Sequence, residues 1–221
     1  MLTTNREAIT SEQTRGALIV ASRLLAYPDQ QLIDDLPSIR QVVASLPSQL
    51  RNLAQRHLAA IEGRDLLDLQ TEYVAIFDLK RRCCLYLTYY LNGDTRRRGM
   101  ALWRFQETYR MAGWSVNNGE LPDFLPVLLE FATAGAEPEL AARKLLEEHR
   151  EGLAVLRAAL AKFDSSASHL VAMVLAMLPE MTPAQNEAAL KLVAEGPPTE
   201  GVGWVALEPF STVHDSIGAR A

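Results

Sequence analysis

The sequence predicts an all-α protein, a single-domain helical bundle of about ten helices. Apolar residues recur at intervals of three and four along most of the 221 positions, which is the spacing of a helix with one buried face. Proline and glycine divide the chain into segments of helical length. Hydrophobic residues make up 48% of the sequence, enough to build a core without metals or disulfides.

The first third of the chain contains four predicted helical regions, each bounded by proline or glycine. The first spans residues 11–27 and stops at Pro28. The second consists of two short pieces joined or kinked at Pro37, because proline removes a backbone hydrogen-bond donor. The third spans residues 48–61, and the fourth, residues 66–77, carries Tyr73 and Phe77 on one face.

The middle of the chain concentrates aromatic and cationic side chains. The run from Leu85 to Leu91 is apolar or aromatic except at Thr88, which is typical of a helix buried on all sides. Its composition also permits a strand, although no similar run nearby could pair with it. Turn residues follow, and Asp94 or Thr95 is expected to cap a helix that continues to Gly113.

The last part of the chain predicts four more helices. One begins near Pro122 and Pro126. Pro138 opens a long helix with an apolar stripe that includes His149, which is most simply a partly buried scaffold residue. Two shorter helices follow, at about residues 168–178 and 183–194.

The end of the last helix sets the domain boundary. We assign residues 1–195 to one helical domain, since no linker divides this range into two cores. Residues 196–221 form a tail that contains glycine and proline. The tail also holds three large apolar side chains, so docking and disorder both remain open for it: Trp204, Leu207 and Phe210.

Charge is distributed unevenly along the chain. The net charge is -5, but residues 80–110 carry eight basic and two acidic side chains, and the segments on either side are acidic. A cationic centre could bind nucleic acid, and a helical nucleic-acid-binding regulator acting through residues 80–98 is the alternative interpretation. The acidity of the whole chain argues against nucleic acid as the main partner.

The sequence contains no recognisable catalytic or metal-binding set of residues, so we expect no enzymatic activity. The four histidines lie far apart, whereas a zinc site needs three or four convergent ligands. No glycine-rich stretch has the context of a phosphate-binding loop. Cys83 and Cys84 are adjacent, which disfavours a disulfide and suggests a reducing, cytoplasmic location. The apolar runs are too short to span a bilayer, and the N-terminus lacks the apolar core of a secretory signal.

Three blocks of the sequence match a known family in their order and spacing. They are EYVAIFDLKRR at residues 72–82, LYLTYYLNGDTRRRG at residues 85–99 and ELPDFLPVLLEF at residues 120–131. Weaker similarity begins at SRLLAYPD, residues 22–29, and extends to the tail. With these blocks the chain resembles the assembly chaperones of respiratory nitrate reductase, also called its delta subunit, within the redox-enzyme maturation proteins.

The resemblance implies an all-helical, non-enzymatic protein of the cytoplasm. Such a chaperone binds the N-terminal segment of the catalytic (alpha) subunit of nitrate reductase while that subunit lacks its cofactor. It assists insertion of the molybdenum cofactor without holding a cofactor stably itself, and it delays membrane docking until assembly is complete. Cofactor-delivery proteins are further expected partners, whereas nucleic acid and direct membrane insertion are not expected.

The resemblance also implies where the peptide binds. The family's groove is associated with an aromatic helix and with a Pro-Asp-His element, and Phe124 here replaces the histidine, so no hydrogen bond or pH dependence from that histidine is expected. A peptide with apolar anchors and a basic end needs an apolar groove with carboxylates at its mouth. The residues predicted to form the groove are Tyr73, Phe77, Asp78, Leu85, Pro122, Asp123, Leu125, Pro126 and Glu130.

The arginine-rich turn poses a separate question. Arginines in the first turn of a helix are disfavoured by the helix dipole, so partners such as Asp94 or acidic residues elsewhere are expected to hold them, with a solvated surface as the alternative. We interpret this cluster as a structural element or a second partner surface. Its members are Arg81, Arg82, Asp94, Arg96 and Arg98.

Overall fold

The computed structural model describes residues 10–116 and 119–196, and this part of the chain is helical, as predicted. The predicted tail lies outside the described residues, except for Gly196. Eleven α-helices occur in the described ranges. They are α1 Ser11–Leu25, α2 Gln30–Ser45, α3 Ser48–Ile61, α4 Leu66–Tyr73, α5 Leu87–Asn92, α6 Arg96–Met111, α7 Leu125–Phe131, α8 Ala136–Glu148, α9 Arg150–Lys162, α10 Ala167–Ala176 and α11 Pro183–Glu195.

Local sequence signals explain several of the helix starts. Thr10 caps α1 by accepting a hydrogen bond from the backbone N–H of Gln13 at 3.2 Å, while the Gln13 side chain accepts one from the Thr10 N–H at 3.0 Å. Asp29 caps α2 through the N–H of Leu32 at 2.8 Å. Thr182 and Gln185 repeat the reciprocal arrangement at α11.

Two predicted boundaries are wrong. Helix α2 runs without a break through Pro37, because Leu32, Ile39 and Val43 all bury the same face and keep the helix in place. The long helix predicted after Pro138 is instead two helices, α8 and α9, which meet at His149.

The segments around the aromatic stretch also depart from simple helices. Helix α4 ends at Tyr73 and continues as a π-helical turn, Val74–Asp78, followed by a short 3-10 turn, Arg81–Cys83. Leu85 precedes α5 rather than belonging to it, and Leu91 is 40% exposed, so the expected all-round burial of residues 85–91 is not observed. Tyr86 instead forms an isolated antiparallel bridge with Phe124, a pairing that was not predicted.

Helix α1 lies at the centre of the packing. It contacts α2, α3, α7 and α10, and its inward side chains are almost completely buried. The absence of a side chain at Gly16 permits close approach of α2, because a Cβ there would lie 3.1 Å from Cγ1 of Val42. No helix in residues 10–116 and 119–196 is both long enough and apolar enough to cross a bilayer.

Helix α5 packs against α9 through a close contact between Tyr90 and Gly152. Tyr90 is fully buried. Its hydroxyl donates to the carbonyl oxygen of Cys84 at 2.8 Å, and the carbonyl oxygen of Arg82 lies 3.0 Å from the same hydroxyl. A Cβ added at Gly152 would lie 2.8 Å from Cβ of Tyr90. Only glycine fits here without displacing the ring.

We expect Gly152→Ala to lower the free energy of unfolding by about 1–3 kcal/mol, because the added methyl group overpacks the α5–α9 contact. The matched control is Gly99→Ala in α6, where no heavy atom lies within 4 Å of the added Cβ. That change should stabilise the protein by about 0.5–1 kcal/mol through helix propensity. Urea denaturation measures both, and equal effects of the two substitutions would contradict the packing argument.

His57 links α3 to the start of α10. Its Nδ1 lies 2.9 Å from the hydroxyl oxygen of Ser166, and the ring is buried. Burial lowers the pKa of His57 from 6.5 to about 4. The folded protein therefore holds this imidazole neutral where the unfolded chain would protonate it.

This difference predicts a loss of stability in mild acid. Above pH 6.5, His57 is neutral in both the folded and the unfolded protein, so it does not lower the free energy of unfolding. As the pH falls from 6.5 towards about 4, only the unfolded chain binds a proton at His57, and the free energy of unfolding decreases. The loss should reach at most about 3 kcal/mol. His57→Gln should give a flatter dependence of unfolding free energy on pH between these values, and His169→Gln should flatten it less, because the pKa of the half-buried His169 is lowered by a smaller desolvation. Parallel curves for wild type and His57→Gln would refute the assignment.

Candidate functional site

A broad groove of about 620 Å³ opens on the surface beside α1 and α7. The hydroxyl of Ser22 donates to the carbonyl oxygen of Pro126 at 2.8 Å and so fixes α1 against the start of α7. Apolar surface predominates in the lining. The lining residues are Ile19, Ser22, Arg23, Ala26, Trp114, Ser115, Val116, Glu120, Phe124, Pro126, Val127, Glu130 and Thr133.

A row of aromatic rings extends from one end of this groove. The Tyr27 ring meets the Tyr73 ring edge to face, with centroids 5.2 Å apart, and Tyr73 lies 4.7 Å from Phe77. We call Tyr27, Tyr73 and Phe77 the aromatic row. It is near the groove, because Tyr73 interacts electrostatically with Glu120, which lines the groove. Tyr73 and Phe77 also line a small cavity of about 50 Å³ beside His57.

Backbone pairing joins two of the sequence blocks beneath the groove. The N–H of Leu125 donates to the carbonyl oxygen of Leu85 at 2.8 Å, and the N–H of Leu87 donates to that of Asp123 at 3.0 Å. This pairing sets the Tyr86 and Phe124 rings 5.3 Å apart, and Phe124 lines the groove. We call these four backbone groups and the Tyr86–Phe124 bridge the central pairing.

The predicted groove residues therefore divide into three groups. Pro126 and Glu130 line the groove, and Tyr73 and Phe77 belong to the aromatic row next to it. Asp78 is exposed on the π-helical turn. Five of the predicted residues are buried, namely Leu85, Pro122, Asp123, Leu125 and Pro126, and of these five Pro126 alone lines the groove.

Asp123 differs most from expectation, because the sequence predicts a carboxylate at the groove mouth and the structure buries it completely. Its Oδ2 accepts hydrogen bonds from the Thr88 hydroxyl at 2.6 Å and the Thr88 N–H at 3.1 Å, which satisfies the first turn of α5. Its Oδ1 has no hydrogen-bond partner among the described residues. Asp123 thus acts on the groove through the backbone that it holds, and direct contact with a peptide stays a prediction.

Glu120 supplies a carboxylate at the groove that the sequence reasoning missed. It accepts hydrogen bonds from the Tyr86 hydroxyl at 3.2 Å and from the Leu121 N–H at 2.8 Å. Burial and this carboxylate raise the pKa of Tyr86 to about 12. Burial and the charge of Asp78 likewise raise the pKa of Tyr73. Glu120 is the first residue of the third sequence block, and this position could have identified it as a groove carboxylate.

Acidic groups dominate the polar part of this region. Glu120 and Glu130 line the groove, and the cation in its wall, Arg23, is already paired with Asp29 and Asp35. Asp78 lies beyond the aromatic row. The arrangement suits an apolar ligand with positive charge near one end.

The arginine-rich turn makes contacts within the fold, as the sequence analysis expects for Asp94. Asp94 forms ion pairs with Arg81 and with Arg98, the latter at 3.7 Å. Arg98 also lies over the Tyr86 ring, 5.8 Å from its centroid. Arg82 donates to the carbonyl oxygen of Val193 at 3.1 Å, near the C-terminus of α11. Arg96 is exposed in the first turn of α6.

Metal and thiol chemistry find no support in residues 10–116 and 119–196. No three His, Cys, Asp or Glu side chains in these ranges converge as metal ligands. Cys83 and Cys84 are free thiols, and burial raises the pKa of Cys83 to about 11, which suppresses the reactive thiolate.

We expect Thr88→Val to lower the free energy of unfolding by about 1–3 kcal/mol, because it removes the hydroxyl that donates to the buried Asp123 carboxylate. Thr88→Ser retains that hydroxyl and should cost clearly less. Chemical denaturation of both variants tests the central pairing. If valine and serine at this position gave the same stability, the hydrogen bond would have no such role.

Comparison with known proteins extends over most of the described chain. Residues 39–166 match the family model described as nitrate reductase delta subunit. Nitrate reductase-like protein NarX of Mycobacterium tuberculosis is 40% identical over 154 residues, which is 70% of this chain but 23% of NarX. This chain therefore spans less than a quarter of the length of that relative.

A second relative is similar over most of its own length. The probable nitrate reductase molybdenum cofactor assembly chaperone NarJ of Bacillus subtilis is 34% identical over 158 residues, 71% of this chain and 85% of NarJ. The crystal structure of an Archaeoglobus fulgidus protein described as a redox enzyme maturation protein superposes with a TM-score of 0.53 at 22% identity. That superposition covers 76% of this chain and 94% of the archaeal one, and it shows a shared fold.

Proposed function

The chain belongs to the nitrate reductase delta subunit family, and on that basis we propose that it is an assembly chaperone, without enzymatic activity, for a nitrate reductase. It binds the N-terminal segment of the catalytic subunit while that subunit lacks its molybdenum cofactor. It thereby assists cofactor insertion and delays membrane docking until assembly is complete. The chaperone works in the cytoplasm, holds no cofactor stably, and meets cofactor-delivery proteins through the complex.

The observation that carries this proposal is the groove together with the aromatic row. An amphipathic peptide helix binds by laying its apolar face into a groove, and a volume of about 620 Å³ accommodates several side chains. Ile19, Phe124 and Val127 offer apolar surface to such a helix. Aromatic rings that are only partly buried supply further contact area at a small entropic cost.

Charge favours one class of peptide over another. Glu120 and Glu130 would attract a segment with lysine or arginine near its apolar anchors, and Asp78 would extend that attraction past the aromatic row. An acidic segment would be repelled by the same groups. The proposed ligand is therefore a basic, amphipathic segment.

Binding of this kind explains how a chaperone without catalytic residues could control assembly. A segment held in the groove is withheld from other surfaces, so its docking elsewhere waits for release from the chaperone. The catalytic subunit meanwhile stays open to its cofactor. Each of these steps requires reversible binding and no chemistry by the chaperone itself.

The nucleic-acid alternative receives no such support. The net charge of -5 opposes a polyanionic ligand, Arg82 donates to the carbonyl oxygen of Val193, and the half-buried Arg98 lies over the Tyr86 ring. No feature of residues 10–116 and 119–196 favours a second function of this class.

The proposal is tested by calorimetric titration with a synthetic peptide from the N-terminus of the nitrate reductase catalytic subunit. We expect Phe124→Ala to weaken binding about tenfold or more, since it removes an aromatic contact surface. Glu130→Gln should weaken it about threefold, an effect that shrinks with added salt. Glu187→Gln, an equivalent change on the exposed face of α11, is the control and should leave affinity unchanged.

Tyr73→Ala separates the aromatic row from the groove in the same titration. We expect it to weaken binding as well, while far-UV circular dichroism stays that of wild type. Absence of binding by the wild type, or one affinity for wild type and all groove variants, would overturn the assignment of this site.

A further inference from the structure

Helix α6 carries a line of exposed apolar side chains that the proposed function does not use. Met100 is 69% exposed, Trp103 57% and Met111 77%. At 3.6 residues per turn, these three positions fall within about 80° of one another around the helix. The opposite face of α6 is anchored in the core by Phe105 and Tyr109. A stable helix thus presents its apolar line outward.

The line continues into a groove formed with the neighbouring helix. Met111 of α6 and Leu140 of α8 both line a depression of about 390 Å³, and Leu140 is 56% exposed. Ala112 and Ala141 lie in the same depression, and their small side chains leave it room. None of these residues lines the groove beside α1 and α7. The two surfaces are therefore separate.

The charges around the apolar line are mainly positive on the α6 side. Helix α6 contains five arginines and one glutamate, in a protein whose net charge is -5. At 100° per residue, Arg97 and Arg104 fall on one side of the line and Arg110 on the other, whereas Arg96 and the half-buried Glu107 fall within it. Tryptophan, methionine and arginine are the side chains enriched at protein interfaces.

Ion pairs on this surface leave its binding capacity intact. Arg104 donates to Glu148 at 2.6 Å and Arg110 to Glu107 at 2.6 Å, and both arginine side chains are exposed. Exposed pairs of this kind contribute little stability, so a partner carboxylate can replace either one at small cost.

The α8 side of the depression has a different charge. Glu137 and Glu148 lie there with Lys144, so a flat anionic membrane would meet carboxylates as well as arginines. A helix can satisfy this pattern, because one of its edges can be acidic over α6 while its apolar face enters the depression. The concave shape at Met111 and Leu140 also suits a helix better than a bilayer surface.

We propose that this surface, Met100, Trp103, Arg104, Met111 and Leu140, binds a helix of a partner protein that has an apolar face and an acidic edge. We call it the α6 surface. Such a ligand has the charge opposite to that of the basic segment proposed for the other groove. The chaperone could then engage two different helices at the same time.

The test uses the full chain and a synthetic 18-residue probe peptide, whose helical form has leucines on one face and glutamates beside them. Amide chemical shifts in nitrogen-15 NMR spectra report where the probe binds. We expect saturable shifts concentrated in α6 and α8. A matched peptide with lysine in place of every glutamate should bind this surface at least tenfold more weakly.

Two substitutions of exposed residues test whether the acidic probe binds at the α6 surface. Trp103→Ala and Met111→Ser should each weaken binding of the acidic probe at least fivefold, with the remaining spectrum unchanged. Leu190→Ala, which shortens an exposed leucine of α11, is the control and should have no effect. Failure of the nitrate reductase peptide to bind its own groove would leave these results unaffected.

Other outcomes would overturn the inference. Shifts located outside α6 and α8, absence of shifts, or equal binding of the glutamate and lysine peptides would each do so. A vesicle arm covers the membrane explanation: co-sedimentation with phosphatidylglycerol vesicles that is lost in Trp103→Ala, without binding of the acidic probe, would assign the surface to lipid instead.

Discussion

The central pairing, between Leu85–Leu87 and Asp123–Leu125, is the constraint on which the candidate site depends. It joins two segments that are far apart in sequence through two backbone hydrogen bonds, and the hydrogen bonds of Thr88 to the Asp123 carboxylate lie next to it. It determines where α5 and α7 begin. As a result, Tyr86 and Phe124 stack beside the groove, and Glu120 comes within reach of the Tyr86 hydroxyl.

Burial strengthens the hydrogen bonds around this pairing, and it also makes any unpaired polar group there costly. A carboxylate with no exposure needs hydrogen bonds, and the Thr88 hydroxyl and N–H supply them to Oδ2, whereas Oδ1 has no partner among the described residues. Arg98 adds a donor to the Thr88 hydroxyl oxygen at 3.3 Å, so the cationic turn stabilises the same cluster from outside. The arginine-rich turn and the groove are thus parts of one structure, although the sequence separates them.

The sequence was sufficient for the fold class and for features that arise locally. Amphipathic periodicity located most helices, and Asp94 was correctly expected as a partner for arginine. Features that depend on distant contacts could not be predicted. Pro37 predicted two short helical pieces, joined or kinked there, but α2 is one continuous helix packed on α1 and α3, and the division at His149 had no sequence signal.

The candidate site was predictable to a similar extent. Pro126 and Glu130 line the groove, Tyr73 and Phe77 belong to the aromatic row, and peptide binding by these residues stays a prediction. The burial of Asp123 could not be predicted, because an aspartate after a proline is equally compatible with an exposed turn and with a buried helix cap. The contribution of α1 to the groove follows from tertiary packing alone.

The π-helical turn, Val74–Asp78, has an evolutionary consequence. A π turn holds one residue more than an α-helical turn, as a single-residue insertion into an α-helix would produce. Deleting one residue here would return the turn to α-helical spacing, with one side chain fewer in the same length of helix. Phe77 and Asp78, which lie in the turn, would then be placed differently while the flanking elements keep their packing. Related chains that differ by one residue in this turn should therefore differ in which ligands they select.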